Sequence, residues 1–374
     1  MSWRKKKLDQ LGTVARGRSR HRPRDAEHLY GGLYPFIQTG DVKQADLYIS
    51  SFTQTYSDAG LQQSKLWPAG TLCITIAANI AETAILGIDA CFPDSVIGFI
   101  ADPEQSDTRF VKYLFDATIK ARARQFSQGA TQDNLSQEKL LSLEFDVPSV
   151  HEQKQIADVL SGYDDLIEKN RRRMALLEES ARLLYREWFV RLRFPGYEHT
   201  PIFDGVPKGW ERTTLGDSIT LNYGKALKAE VRVEGEYPVF GSSGIVGTHE
   251  KPLVQGPAIV LGRKGNVGSV YWSSKSFYPI DTVYFVKPES SSLYLFYALK
   301  HMHFISTDVA VPGLNRDFAY SRPLLRPPAT LLHSFHEVVE PIHAQLDKLE
   351  EASQKLGSAR DLMLPLLMSS QIGA

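Results

Sequence analysis

The stretch IADVLSGYDDLIEKNRRRMALLEESARLLYREW, residues 156–188, determines the fold of this chain. Its apolar residues recur at alternating spacings of four and three, which is the heptad seam of a helix that packs lengthwise against another helix. The seam positions are Ile156, Leu160, Tyr163, Ile167, Asn170, Met174, Leu177, Ala181, Leu184 and Trp188. Such a seam exposes too much apolar surface to remain alone, so the helix needs a helical partner.

A second seam near the end of the chain is that partner. Each of its positions follows a position of the first seam at one constant offset, the offset that separates Ile156 from Phe335. Its members are Phe335, Val339, Ile342, Leu346, Leu349, Ser353, Leu356, Arg360, Met363 and Leu367. The polar members Asn170, Ser353 and Arg360 weaken packing locally but can hold the two helices in register, because a shifted pair would bury them without partners.

The segments before the two helices also repeat. Asn79-Ile80-Ala81 corresponds to Asn266-Val267-Gly268, and Asp94-Ser95-Val96 corresponds to Asp281-Thr282-Val283, both at the same offset. Two motifs at one shared offset indicate two divergent copies of one domain. Weaker anchors agree, since Trp3 and Leu8 correspond to Trp210 and Leu215.

The length of 374 residues suits two domains and two helices. We predict a compact domain over 1–150, a long helix over 151–194, a second compact domain over 195–328 and a second long helix over 329–370. The fold class is α+β, with two similar mixed α/β domains separated by two long antiparallel coiled-coil helices. The whole chain forms an internal repeat with pseudo-two-fold symmetry.

Each domain is expected to hold a small curved sheet, one or two helices and long polar loops at one edge. Strand composition marks residues 71–76, 258–261 and 282–286, whereas helical spacing marks residues 109–123 and 293–302. Long loops on a rigid scaffold are where binding specificity is usually carried.

No export or membrane segment is visible. Arginines at positions 16, 18, 20, 22 and 24 stand where a signal peptide would need apolar residues. The apolar stretch Leu72–Phe92 is interrupted by Glu82 and Asp89 and is typical of buried strands. Cys73 and Cys91 lack a second pair and are expected to be reduced, buried thiols. We therefore expect a cytoplasmic protein.

The charge pattern is neutral overall and basic in places. The chain has 43 Lys and Arg against 43 Asp and Glu, so no global field attracts a polyanion. Residues 1–28 nevertheless hold nine basic residues against three acidic ones, and residues 170–193 hold seven against three. Local basic clusters suit a protein that touches phosphates with one face, although such clusters are also common on ordinary solvated surfaces.

Short polar loops supply the candidate DNA-binding residues. Amides pair with adenine edges and arginine with guanine edges in the major groove, although the same residue types also form ordinary turns. The candidates are Gln38, Thr39, Asp41, Asn79, Gln128, Thr131, Gln132, Asn134, Ser242, Ser243, Arg263, Lys264, Asn266, Asn315 and Arg316.

Enzymatic signatures are missing from the sequence. The glycines of GRKGNVG at residues 262–268 lack the spacing of a phosphate-binding loop. His151, His333, His336 and His343 lack the pairing of a metal site and are expected to be caps or surface residues. We predict no catalytic, cofactor-binding or metal site. An adaptor that binds only proteins through its coiled coil, or an enzyme without a known motif, remains an alternative.

Eleven segments run in order along the chain and are specific as a set. They are the lead-in Trp3–Leu11, YPFIQTGD at 34–41, ITIAANI at 74–80, TQDNLS at 131–136, Glu152-Gln153, LLEESAR at 176–182, REWF at 186–189, YPVFGSSGIVG at 237–247, GRKG at 262–265, PIDTV at 279–283 and RDLMLP at 360–365. Through these segments the chain resembles, over nearly its whole length, the specificity subunit of type I restriction-modification enzymes.

The resemblance implies a non-catalytic subunit that binds double-stranded DNA. The domains over 1–150 and 195–328 would be target recognition domains, each reading one half of a split, asymmetric site. Two modification subunits would bind the chain and methylate adenine N6 with S-adenosylmethionine, and two restriction subunits could add cleavage driven by ATP and Mg. Those cofactors would belong to the partners. A helix of about 33 residues spans roughly 50 Å, so helix length would set the spacing between the half-sites.

Overall fold

A computed structural model describes residues 3–120, 136–302, 304–305 and 313–369, with Lys120 described by its backbone alone. The chain forms two compact units. Unit 1 comprises Met1–Asn170 with Ala352–Ala374, and unit 2 comprises Arg171–Glu351. This division crosses both long helices, so each unit holds a globular part and a section of each helix. The division differs from the four predicted segments, whose boundaries stay a prediction.

The described residues in the globular part of unit 1 form eleven short strands and four short α-helices. The strands are β1 Arg4–Lys7, β2 Gly12–Arg16, β3 Tyr30–Phe36, β4 Tyr48–Ile49, β5 Gln54–Tyr56, β6 Leu66–Trp67, β7 Leu72–Thr75, β8 Thr83–Leu86, β9 Ala90–Cys91, β10 Val96–Ala101 and β11 Glu144–Val147. The helices are α1 Thr39–Gln44, α2 Asp58–Gln62, α3 Thr108–Phe115 and α4 Gln137–Ser142.

These strands form a five-stranded sheet, a four-stranded sheet and a strand pair. The first sheet has the order β2-β10-β7-β8-β4 and the second β5-β3-β9-β6, while β1 pairs with β11. Every residue of β7 is buried, as expected for a short β-branched and apolar run. Trp67 stacks on Phe92 at a centroid distance of 4.8 Å, and both rings are fully buried.

The described residues in the globular part of unit 2 form eleven strands and three short α-helices. The strands are β12 Ile202–Phe203, β13 Val206–Pro207, β14 Glu211–Thr214, β15 Asn222–Tyr223, β16 Tyr237–Gly241, β17 Gly244–His249, β18 Ala258–Gly262, β19 Val270–Ser273, β20 Tyr278–Pro279, β21 Val283–Val286 and β22 Pro323–Arg326. The first long helix, Val150–Tyr185, is α5, and the short α-helices of unit 2 are α6 Leu215–Ser218, α7 Leu293–His301 and α8 Arg316–Tyr320.

The sheets of unit 2 repeat those of unit 1. The order β15-β21-β18-β19 corresponds to β2-β10-β7-β8, and β14 pairs with β22 as β1 pairs with β11. A parallel pair, β16 with β20, corresponds to the parallel pair of β3 with β9. Because strand order and strand direction both recur, the two globular parts are copies of one fold.

The long helices are α5, Val150–Tyr185, and α9, Ala329–Leu367. A π-helical turn, Arg186–Val190, continues α5. In unit 1, Asn170 donates a hydrogen bond to Ser353 at 3.3 Å, and Tyr163 donates one to the sulfur of Met363 at 3.2 Å. Contact positions that rise along α5 fall along α9, so the helices are antiparallel. The predicted fold class is confirmed.

Every seam residue is buried or half-buried. Phe335, Val339 and Leu160 are fully buried in the cores of their units, and Asn170 is half-buried. The other apolar seam members that are buried or half-buried include Ile156, Tyr163, Ile167, Leu177, Leu184, Trp188, Ile342, Leu346, Leu349 and Leu356.

The helix predicted over 109–123 is α-helical over Thr108–Phe115 and continues as a π-helical turn, Asp116–Lys120, while residues 121–123 lie outside the described residues. One local expectation was wrong. His343 is neither a cap nor a surface residue, because it is half-buried and its Nε2 lies 2.8 Å from the hydroxyl of Tyr297. Burial, assisted by the positive charge of Lys300, lowers the pKa of His343 to about 4.

Cys73 and Cys91 are free, buried thiols, and burial raises the pKa of both. Within the described residues, no helix has the length and apolar character needed to cross a membrane. In the same part of the chain, no group of three or more His, Cys, Asp or Glu side chains is arranged to hold a metal ion.

Candidate nucleic-acid interface

The loop between β18 and β19 in unit 2 is shaped by two glycines. Gly265 and Gly268 have φ angles of 79° and 77°, in the left-handed region that favours glycine. The backbone N–H of Arg263 donates to the carbonyl of Thr282 at 2.9 Å, which ties the loop to the start of β21. The loop carries three of the candidate residues, Arg263, Lys264 and Asn266.

The loop between β7 and β8 in unit 1 has the same backbone. Ala78 and Ala81 have φ angles of 63° and 64°, and they align with the two glycines at the offset that relates Asn79 to Asn266. Ile76 donates its backbone N–H to the carbonyl of Ser95 at 3.0 Å, as its counterpart does in unit 2. The candidate Asn79 lies in this loop, where its carbonyl accepts a hydrogen bond from Thr75 Oγ1.

A cluster of tyrosines and guanidinium groups adjoins the unit 2 loop. The guanidinium of Arg263 lies 5.3 Å from the ring centre of Tyr223, and that of Arg316 lies 5.4 Å from the same ring. Tyr223 also packs against Tyr284 at 5.1 Å. Burial and the hydrogen bond with Tyr223 raise the pKa of Tyr284 to about 12, while the two arginines oppose this rise. The structure therefore brings two candidate arginines together around one exposed ring.

Other candidates in unit 2 have scaffold roles as well. Ser242 is buried, and its oxygen atoms accept hydrogen bonds from Asn266 N, Ser269 Oγ and the Tyr271 hydroxyl. Asn315 caps α8 by accepting from the backbone of Asp317 and Phe318.

Three further unit 2 candidates present their side chains to solvent. Ser243 lies in the turn between β16 and β17 and is exposed. Lys264 and Arg316 are exposed as well, and the backbone of Lys264 bridges to Gly313. Exposure leaves these three side chains available to a ligand.

The candidates near α1 in unit 1 also include a residue that holds the backbone and residues that are accessible at the surface. Asp41 is buried and accepts a hydrogen bond from the backbone N–H of Gln38 at 2.8 Å, which completes the cap of α1. The side-chain amide of Gln38 donates to the side chain of Gln54 at 2.5 Å. Thr39 begins α1 and is half-buried. The two glutamines line an open cleft of about 550 Å³ together with Arg24.

Four sequence candidates, Gln128, Thr131, Gln132 and Asn134, lie outside the described residues. Two neighbours of the sites, Tyr223 and Gln54, were missed because each resembles an ordinary strand residue. The repeat offers one signal for Tyr223. At the offset that relates Trp3 to Trp210, Tyr223 corresponds to Arg16, which belongs to the basic segment 1–28.

Comparison with known proteins gives a consistent result. The family model described as type I restriction modification DNA specificity domain matches residues 1–179 and 207–318. The type I restriction enzyme MjaIX specificity subunit of Methanocaldococcus jannaschii is 23% identical over 406 residues, which covers 99% of this chain and 93% of that protein.

A solved structure agrees on the fold. The crystal structure of the type I restriction-modification S subunit from M. genitalium matches with a TM-score of 0.60 at 18% identity, covering 100% of this chain and 97% of that one. The strand order, the paired long helices and the two matched segments thus support one family assignment. The chain belongs to the type I restriction modification DNA specificity family.

Proposed function

We propose that each unit reads one half of a bipartite, asymmetric DNA site, so that this chain supplies sequence specificity to a type I restriction-modification enzyme. The proposal rests on the loops after β7 and β18. They have the same backbone, including paired left-handed residues at equivalent positions, but their side chains differ. A shared scaffold with different side chains suits two related surfaces that recognise different base sequences.

The side chains support different half-sites. Unit 2 places the guanidinium of Arg316 against the exposed ring of Tyr223, and a guanidinium group suits guanine edges. Unit 1 pairs the amides of Gln38 and Gln54 at an open cleft, and amides suit adenine edges. Because the two sets are chemically unlike, the full DNA site is expected to be asymmetric.

The long helices set the number of unread base pairs between the half-sites. The 36 residues of α5 correspond to a helix of about 54 Å at ~1.5 Å per residue. One turn of DNA rises about 34 Å, so this length covers roughly one and a half turns.

Two modification subunits dock on equivalent helix faces. Val159 on α5 in unit 1 is 44% exposed, and Val338, its equivalent on α9 in unit 2, is 47% exposed. Exposed valines at equivalent positions outside the seam are apolar docking points of the same kind. The modification subunits carry S-adenosylmethionine, restriction subunits add ATP and Mg, and this chain contributes no catalytic group.

Methylome sequencing tests the central proposal. Long-read sequencing of a strain that expresses this chain with its partners should reveal one bipartite, adenine-methylated motif that disappears when the chain is deleted. Inserting four residues after Ala175 should change only the length of the unread spacer. A motif that is palindromic, or that persists after deletion, would contradict the proposal.

Native mass spectrometry tests the docking faces. Val159→Asp or Val338→Asp should each reduce the complex from two modification subunits to one, and the double variant should bind none. The matched control is Glu337→Asp, a conservative change beside Val338 on the exposed surface of α9. Retention of two modification subunits by the double variant would refute this part.

A further inference from the structure

In each unit a guanidinium group donates a hydrogen bond to a backbone carbonyl at an equivalent position of the repeat. Arg16 Nε donates to the carbonyl of Asp94 at 2.5 Å in unit 1. In unit 2, Arg263 donates to the carbonyl of Asp281 through Nε at 3.2 Å and Nη2 at 2.7 Å. The two aspartates are equivalent in the repeat and occupy the same turn, before β10 and β21. The carbonyl is thus an equivalent point of the two copies.

The two arginines reach this point from different elements. Arg16 ends β2, whereas Arg263 follows β18. The position equivalent to Arg16 holds Tyr223 in unit 2, and the position equivalent to Arg263 holds Ile76 in unit 1. Simple duplication places the same residue type at the same position. Here both units place a guanidinium at the equivalent carbonyl, but they supply it from residues that are not equivalent. The shared feature is therefore the position of the positive charge.

The positive charge at this point is not neutralised. Neither Arg16 nor Arg263 has an ion-pair partner within the part of the chain that the structure describes. The carboxylate of Asp94 is bound by Arg24, whose Nη2 lies 2.9 and 2.8 Å from its two oxygens. A carbonyl oxygen carries no net charge, so each guanidinium keeps its full charge and still has N–H donors free for an anion.

We propose that Arg16 and Arg263 each bind a phosphate of the DNA backbone and give the two units one sequence-independent contact in common. This inference rests on the proposed function, since it assumes that both units bind DNA. A contact shared by two units that read different bases cannot itself discriminate bases. The phosphate is the group that every half-site presents in the same place, and phosphate contacts fix the orientation of a protein on the duplex.

Glutamine and lysine variants separate charge from hydrogen bonding. In Arg16→Gln and Arg263→Gln, the amide can still donate to the carbonyl while the charge is lost. In Arg16→Lys and Arg263→Lys, the charge remains. Binding of the full-length chain with its modification subunits to fluorescent duplexes, one containing the methylated motif and one of unrelated sequence, is measured between about 50 and 200 mM salt. Arg326→Gln, an exposed arginine paired with Glu211, is the control.

Each glutamine variant should weaken binding to both duplexes by a similar factor, roughly tenfold. The slope of log affinity against log salt should fall by about 0.9 for each arginine and by about twice that in the double variant. The lysine variants should recover the slope, and the control should match wild type.

Selective loss on the motif duplex, an unchanged slope, or no recovery with lysine would each overturn the assignment. A wild-type complex that binds both duplexes equally would instead refute the proposed function.

Discussion

The two units place a tyrosine against a long helix in the same way but with different charge. In unit 1, Tyr113 of α3 donates a hydrogen bond to Asp164 of α5 at 2.5 Å, and Arg360 of α9 also binds Asp164. In unit 2, Tyr297 of α7 contacts His343 of α9. His343 aligns with Asp164 at the offset that relates the two seams, so the two contacts are equivalent.

The position that faces this contact also differs between the units. Arg360 has Ala181 as its equivalent in the first seam, and Ala181 is fully buried in unit 2. Where the helix carries an aspartate, the facing seam position carries the arginine that balances it. Where the helix carries a histidine, which burial keeps neutral, the position equivalent to Arg360 carries an alanine. In both units the contact therefore carries no unbalanced charge, because the aspartate is paired and the histidine is neutral.

The largest expected effect comes from removing Asp164. Asp164→Ala leaves the half-buried Arg360 guanidinium and the Tyr113 hydroxyl without their shared partner, so the free energy of unfolding should fall by about 3–5 kcal/mol. Asp165→Ala, at the exposed neighbouring position, should change it by less than about 0.5 kcal/mol. Urea unfolding followed by circular dichroism measures both. Similar losses for the two variants would show that the ion pair does not stabilise unit 1.

Acid should destabilise unit 2 through His343. Its pKa is about 4 in the folded protein and about 6.5 as its ordinary value, so the unfolded chain binds the proton more readily between these pH values. The stability contributed by neutral His343 is complete above pH 6.5 and is lost as the pH falls towards 4, by at most about 3 kcal/mol. Hydrogen exchange of α7 amides across this pH range measures the loss.

His343→Gln is the matched variant for this pH dependence, because glutamine can still bond to Tyr297 but does not titrate. In this variant the stability of unit 2 should depend less steeply on pH. The remaining pH dependence is due to His336, whose pKa is also lowered by burial. An unchanged slope in His343→Gln would contradict the assignment.

Substitutions in the two equivalent loops, β7–β8 and β18–β19, should change the free energy of unfolding by smaller amounts and with opposite signs in the two units. Gly268→Ala would force a left-handed alanine and bring its Cβ to 2.7 Å from Cβ of Phe304, so it should cost about 2–3 kcal/mol. Gly265→Ala has a looser surrounding and should cost about 1 kcal/mol. The reverse change Ala78→Gly, at an exposed position of unit 1, should stabilise by about 0.5 kcal/mol. Thermal unfolding of the three variants tests the order, and stabilisation by Gly268→Ala would refute it.

A small gain in stability is expected at Asn170, whose amide bonds to Ser353. Asn170→Leu should raise stability by about 1 kcal/mol, because an apolar residue packs better in the seam, and should relax the register of the helix pair. Chemical unfolding gives the first quantity and cysteine cross-linking across the seam the second. Leu356→Ala, an apolar truncation elsewhere in the seam, provides a destabilising reference. A large loss of stability in Asn170→Leu would show that its hydrogen bond outweighs packing.

Much of the architecture follows from spacing alone. One offset, from Ile156 to Phe335, identifies both long helices, and a second, from Asn79 to Asn266, locates the two equivalent loops. Periodicity succeeds here because a helix seam and a buried strand are each specified by residues close together in sequence. The second offset also relates the left-handed Ala78 to Gly265, although no local pattern predicts a left-handed alanine there.

The roles of single side chains required the tertiary structure. Nothing in the sequence distinguishes Asp41 and Ser242 from the other polar loop residues. The fold buries both, and their oxygen atoms accept hydrogen bonds from backbone N–H groups. Tyr223 became part of a site only because Arg263 and Arg316, which are remote from each other in sequence, meet at its ring.

The sequence by itself determined the duplication, the helix pair and the positions of the equivalent loops, because these depend on periodic burial of apolar residues. The tertiary structure alone decided which polar groups remain free to bind. A hydrogen bond or ion pair depends on distances of a few ångströms between residues remote in sequence, as when Arg16 and Arg263 reach equivalent carbonyls from different elements.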